Sequence, residues 1–410
     1  MTLAIIACAA AATEVPEPPL QPWFPKAAPL TRPGGQVIRV DSVEGLFRAA
    51  EQVRAGGTIL LADGHYMMLR YFELHTDDVT LRSESGRRER VVLDGAKSRH
   101  NELVGISACS GVTIADLTIQ NIRANGFKIN SDRFATRVTI RNCIIHNIWE
   151  RGVKGPAVRA EDRQRFRPSD CRIEYCLFYN DRAKRYEDDP ADTPQNFGGN
   201  YVGGIDAMYP RRWTISDNVF IGTQGRTRAA RGAVFLWQNA EDCIVERNII
   251  IDCDSGICLG NSFKPADVAV HCRGCIVRNN FIVRCPEQGI LADYTRDCRI
   301  VHNTIHDPRS RLGRLIRLVH DNEGLVVASN LLSGPAMRVE SDSAVEVSGN
   351  ITRDLSDAFV DARAGDLHLK RRVADVVDAG RPRADVSDDI DGRARDGKPD
   401  IGADEWAGER

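Results

Sequence analysis

Val112 to Ile119 reads VTIADLTI, and Val138 to Ile145 reads VTIRNCII. The phrase returns as CRIEYCLF from Cys171, WTISDNVF from Trp213, CIVERNII from Cys243 and CIVRNNFI from Cys275. It closes with CRIVHNTI from Cys298, LVVASNLL from Leu325 and VEVSGNIT from Val345. The sixth position is Leu117, Cys143, Cys176, Asn218, Asn248, Asn280, Asn303, Asn330 and Asn350, with spacings of 26, 33, 42, 30, 32, 23, 27 and 20. A self-similar period built from β-branched strand residues predicts a solenoid.

The six asparagines refine the prediction. An inward Asn at a turn can bond backbone groups of its own turn and of the next coil. Coils stacked about 4.8 Å apart would align these side chains into a ladder. With no helical periodicity and frequent Gly, the pattern implies an all-β fold, a right-handed parallel β-helix. A propeller needs four strands in each evenly spaced blade, and these spacings are uneven. A leucine-rich repeat needs a leucine framework that is missing.

Composition narrows the function classes. The chain has 410 residues and a formal net charge of -2, which gives no basis for bulk nucleic-acid binding. It holds 47 Arg against eight Lys, so the position of each Lys is informative. No stretch of 18 or more apolar residues exists, so no transmembrane helix is expected. Met1 to Ala12, MTLAIIACAAAA, resembles the end of a secretory signal, though it lacks a basic start. Ile5 to Cys8 also resembles a lipobox, which would place a lipid on Cys8. The alternative is a disordered apolar N-terminus. Export and a monomeric state are expected.

Twelve cysteines in an exported chain would ordinarily suggest disulfides. Their repeat positions argue for stacked interior thiols instead: Cys171, Cys243, Cys275 and Cys298 share the first strand position, and Cys143 and Cys176 the sixth. Cys272 and Cys275 form a CxxC, but no second pair follows, so no metal site is assigned there.

Four regions are expected: residues 1–33, signal-like and Pro-rich; 34–95, a cap and first coil; 96–360, the coils; 361–410, an end segment. In the cap, Ser42 can N-cap a helix through Val53, with Leu46, Phe47, Ala50 and Val53 on one face. Such a helix would protect the open strand edge. The stretch from Val37 to Gly95 resembles the opening of β-helix polysaccharide lyases, including the alginate lyase and chondroitinase B family. That resemblance implies the fold and a polysaccharide substrate. The family's Lys and Arg active-site motifs and its acidic calcium ligands are not found here. A closer likeness is to β-helix proteins of environmental bacteria, carried by Gly204-Ile-Asp206, Trp213, Asp217-Asn218, Ala233 to Trp237, Glu246-Arg-Asn248 and Gly256 to Gly260. It implies no reaction. The end segment, Asp388 to Trp406, resembles a tail of exported β-helix proteins. Its aspartates could hold Ca²⁺, but their spacing departs from an EF-hand loop, and the stretch is expected to be a structural end segment.

A second strand stack follows the ladder, as in Gly126-Phe-Lys-Ile129, Gly152-Val-Lys154, Gly204-Ile-Asp-Ala207 and Leu315-Ile-Arg-Leu318. Strand side chains alternate, so Lys128, Lys154, Asp206, Cys258, Leu291, Arg317 and Arg338 should point out. The coil Gly232 to Trp237 is ambiguous by one step. Lys128, Lys154 and Asp206 should fall on three successive coils, about 5 Å apart. Two swollen loops, Arg159 to Pro168 and Asn180 to Gly203, should flank them.

This row suits an acidic polysaccharide. Elimination on a uronate needs a base, a cation for the carboxylate and an acid for the leaving oxygen. Two neighbouring lysines lower each other's pKa, so Lys154 or Lys128 is the expected base. Arg226, Arg228, Arg231 and Arg317 are expected to bind carboxylate or sulfate. Tyr209, His146 or the partner lysine is the expected acid, and Trp237 and Trp213 are expected to stack on sugars or to pack. The alternatives are a glycoside hydrolase using Asp206 with Asp217, Glu241 or Glu246, a uronate C5-epimerase, or a non-catalytic glycan-binding or structural solenoid. An ordinary solvated charged face is the bland reading of the row.

Overall fold

A computed structural model describes residues 17–408 apart from 190 and 336. The signal-like segment and Cys8 lie outside the described residues. The chain coils into a parallel β-helix of three sheets with twelve, eleven and twelve strands. One coil shows the pattern: Thr113–Ala115 in the first sheet, Thr118–Ile122 in the second and Asn125–Ile129 in the third. The repeated phrase supplies the first two strands of each coil, and the Gly-led phrase supplies the third.

Registry is set by the interior position of the phrase. Ile114, Ile140, Ile173, Ile215, Val245 and Val277 stand opposite one another on successive coils, and all are buried. A one-residue slip would turn this file outward, and burying each such side chain contributes roughly 1.5–3 kcal/mol.

The tight turn between first and second sheets carries the asparagine ladder. Nδ2 of Asn218, Asn248, Asn280, Asn303 and Asn330 donates to Oδ1 of the next Asn at 3.0, 3.0, 2.9, 3.0 and 2.9 Å. Each Oδ1 also accepts the preceding backbone N–H, as Asn280 Oδ1 does from Asn248 N at 2.9 Å. Towards the N-terminus Cys176 N still bonds Asn218 Oδ1, and Cys143 N reaches Cys176 Sγ. The eleven described cysteines are all free and buried. Burial pushes the Cys171 thiol up to about 12 and Cys272 well above its ordinary value, which opposes the thiolate that zinc needs.

The helix, Val43–Gln52, begins at Ser42, whose hydroxyl accepts Gly45 N–H. Leu46 and Ala49 enter the interior core, and Phe47 meets Phe72 edge-on, so the helix closes the first coil. Beyond Thr352 the chain folds back over the outer face of the second sheet. Leu355, Phe359, Leu367, Leu369 and Val376 bury that face together with Leu177, Val219, Ile249 and Phe281. No helix among the described residues is long and apolar enough to cross a membrane.

Candidate functional site

The outer face of the third sheet is the part of the coil surface bordered by long connections. Residues 156–171 leave it between Arg151–Gly155 and Arg172–Glu174, and residues 180–202 enter it between Leu177–Tyr179 and Gly203–Met208. The two swollen connections therefore stand at opposite edges of one sheet.

Lys128, Lys154 and Asp206 are paired in register on three successive strands. The next positions are Phe235, Cys258, Leu291, Arg317 and Arg338, which resolves the ambiguous coil in favour of Phe235. Lys128 Nζ pairs with Glu102 at 3.1 Å, and Lys154 Nζ with Asp206 Oδ2 at 2.9 Å. Each ammonium has its own carboxylate, so the row carries paired charges rather than a run of like charge.

Asp206 is the centre of a buried network. Arg151 Nε meets its Oδ2 at 2.7 Å, and Trp237 Nε1 donates to its Oδ1 at 2.9 Å. The carboxylate is 1% exposed. Burial alone would raise its pKa, but Lys154 and Arg151 outweigh burial and hold it at about 2. Two cations on one anion leave a formal charge of +1. The Tyr201 ring, from the longer connection, lies 3.9 Å from the Arg151 guanidinium. Sequence reasoning missed Arg151 because it sits at the first strand position, outside the alternating outward set.

The other residues singled out by sequence are dispersed. His146 lies in the second sheet, stacked on Tyr179 and bonded to Asp181 at 2.9 Å, and does not join the third-sheet face. Tyr209 lies beyond the end of its strand under the Arg163 guanidinium, lining a separate cavity with Arg167, Glu241 and Asp267. Trp213 is an interior side chain bonded to Pro168 O. Arg226 lies over Tyr186, and Arg228 pairs with Asp254 at 3.1 Å. Of the hydrolase partners, Asp217 pairs with Arg247, Glu246 with Arg278 and Glu241 with Arg211. None of the three is among the groups bonded to Asp206.

Downstream of Asp206 the face opens into a cleft of about 410 Å³. Its floor is Phe235, Cys258 and Leu291, and its walls include Arg231, Gln288, Asp293, Arg317 and Phe263. Arg231 is exposed, its guanidinium 5.8 Å from the centroid of the Phe197 ring, and it has no ion-pair partner among the described residues. Crowding by the cleft walls, then the neighbouring Arg151 cation, hold its pKa below the ordinary guanidinium value. Arg317 pairs with Glu340 at 2.8 Å at the other end. Phe263 is 68% exposed beside the cleft.

A larger open groove, about 1360 Å³, runs between the turns at Arg284 and Arg309 and the end segment at Arg363. Its carboxyl groups are Asp252, Glu287, Asp307 and Asp354, of which Asp252 pairs with Arg284, while Arg309, Arg311 and Arg363 have no ion-pair partner among the described residues; Glu287 also lines the third-sheet cleft. The third-sheet cleft, unlike this groove, continues the face that carries Lys128, Lys154 and Asp206, and it holds Arg231 beside Glu287 and Asp293.

The profile described as "Right handed beta helix region" matches residues 102–359. The chain belongs to the right-handed β-helix family. Solved structures agree on the fold. A pectate lyase, Pel9A, superposes with a TM-score of 0.51 at 12% identity, over 87% of this chain and 90% of that one. An alginate lyase from Paenibacillus sp. str. FPU-7 gives 0.42 at 10% identity over 78% and 99%. PfbA, a surface adhesin of Streptococcus pneumoniae, gives 0.48 at 12% identity over 76% and 86%. No curated protein matches the chain. At 12% identity the Pel9A superposition shows a shared fold alone, and the chemistry of this β-helix has to come from its own side chains.

Proposed function

We propose that this β-helix binds an acidic, uronate-containing polysaccharide along the outer face of its third sheet and cleaves it by β-elimination. The observation that carries the reading is Arg231, a cation without a carboxylate partner at a cleft it shares with Arg317. A uronate carboxylate resists loss of the adjacent proton because a second negative charge develops beside it. Fixed guanidinium donors at that carboxylate lower this barrier.

The remaining groups fit a polymer. Phe263 offers an apolar face for a sugar ring. Upstream, the Asp206 network has one surplus positive charge, with Lys154 its cation nearer the surface and Arg151 buried beneath Tyr201. In this reading Lys154 binds substrate charge, because its ammonium is committed to Asp206. Lys128, paired with Glu102, extends the same face. Carboxylates suited to Ca²⁺ do not converge in the cleft: Asp293 is bonded to His320 and Ser262, and Glu287 approaches Arg314. Calcium is therefore given no step here. A polymer substrate accords with export, which the signal-like segment suggests.

The test is ultraviolet absorbance of the unsaturated uronate product, with purified protein and alginate, polygalacturonate and chondroitin as substrates. A rise is expected with one of them, and Arg231→Ala should lower kcat/KM by roughly 100-fold. New reducing ends without that absorbance would replace elimination by hydrolysis. Glycan binding with no turnover would make the protein a binding module.

A further inference from the structure

Asp293, which sequence reasoning passed over, stands at the downstream end of the cleft, and His320, also passed over, is bonded to it just outside the cleft lining. Asp293 lines the cleft and is 1% exposed. Its Oδ1 meets His320 Nδ1 at 2.8 Å, and Ser262 Oγ donates to its Oδ2 at 3.2 Å. The His320 ring lies flat on Tyr294, with centroids 4.7 Å apart and planes 4° apart. Tyr294 in turn has the Lys264 ammonium 5.2 Å from its ring centroid.

The backbone is shaped to hold this pair. Register shifts between Asp293 and Thr295 where this strand meets Ile316–Glu323, and such irregularities re-aim side chains. Tyr294 and His320 both have φ of 53°, the turn conformation that recurs along the coils, as at Tyr209 and Gln238. Two adjacent coils thus turn two rings outward together. With Nδ1 held by the carboxylate, Nε2 is the nitrogen left to face a ligand, and the imidazole side chain is 37% exposed. A carboxylate that orients an imidazole and leaves its second nitrogen free is a proton-transfer unit.

We infer that His320 is the general base of the elimination and that Asp293 is its positioning residue. This rests on the lyase reading above. Arg317 lies three residues before His320 on the same strand, so Arg317 is the cation for the carboxylate of the sugar whose C5 proton His320 removes, and Arg231, three coils away, binds the carboxylate of another sugar of the chain. In the reaction, Nε2 takes the C5 proton of the uronate. The electron pair of that C–H bond becomes the C4–C5 double bond. The C4–O bond breaks, and the leaving oxygen takes a proton from solvent. The imidazolium then returns its proton to solvent, so no oxidant or other co-reactant is consumed.

The experiment compares full-length wild type, His320→Gln, His320→Ala and Asp293→Asn on the polymer that yields unsaturated product. His320→Gln should lose at least about 100-fold in kcat with KM within about 2-fold. Added imidazole should restore part of the His320→Ala rate, which a purely structural role would not allow. Asp293→Asn should lower kcat by about 10-fold or more without raising KM. Wild-type elimination with an unchanged His320→Gln rate overturns the inference and leaves the lyase reading standing. Absence of unsaturated product from wild type on every polymer removes that reading, and this role for His320 with it.

Discussion

At the residue scale, Asp206 shows how one carboxylate organises a surface. It is buried, yet it serves Arg151, Lys154 and Trp237 at once. Removing its charge would leave two cations without their counterion in a poorly solvated site. Asp206→Asn is therefore expected to destabilise the protein by about 3–5 kcal/mol, read by denaturant unfolding. The acid sensitivity follows from the same contacts. Asp206 is depressed to about 2 from an ordinary 3.8, so its stabilisation is present above the ordinary value and fades as pH falls towards 2. A second residue-scale effect lies at Glu150, where burial, then the charge of Asp189, raises the carboxyl to about 7. A raised carboxyl favours folding only while protonated, so stability declines as pH climbs from the unfolded value through 7. Glu150→Gln should raise the melting temperature at about pH 8 and change it little at about pH 4.

At the element scale, the asparagine turn is the stabilising unit of each coil. Asn280 bonds Asn303, Val245 O and Arg278 O, and accepts from Asn248 twice. Asn280→Ala leaves several buried groups unpaired and is expected to cost roughly 2–5 kcal/mol by denaturant unfolding. The ladder was legible in the sequence because one short turn repeats with one side chain. The third-sheet row was legible for a similar reason, since alternation fixes which residues point outward. The charge pairing along that row was not legible: Glu102 lies one coil before Lys128, and nothing in the phrase of either coil marks them as partners.

At the scale of the whole molecule, the end segment covers the second sheet and leaves the third free for ligand. His368 ties this cover together. It bonds Asp366 at 2.6 Å and Asp391 at 3.2 Å. Burial opposes its charge, but those two bonds outweigh it and raise its pKa to about 9. The folded value lies above the ordinary 6.5, so the stabilisation is complete below that value and is lost as pH rises through about 9. His368→Ala should flatten the alkaline fall in melting temperature and should expose the apolar face of the second sheet to a fluorescent hydrophobic dye. Among the described residues, His368, Asp391 and Asp404 form the one group of His, Cys, Asp or Glu side chains close enough to share a metal ion. The sequence pointed to the aspartates of this segment, and His368 joined them only through folding.

The sequence by itself determined the β-helix, the ladder, the interior thiols, the capping helix and the alignment of Lys128, Lys154 and Asp206. All of these follow from local alternation repeated at one position per coil. Tertiary structure decided which charges meet. Arg151 reaches Asp206 across 55 residues, and His320 reaches Asp293 across 27. It also decided that His146 and Tyr209 stand away from the third-sheet face and that Arg231, over the Phe197 ring, is the arginine of its loop that lines the cleft. The physical reason is the same in each case. Coils differ in turn length, and a side chain's partner on the next coil depends on where those turns return the backbone, which no single repeat encodes.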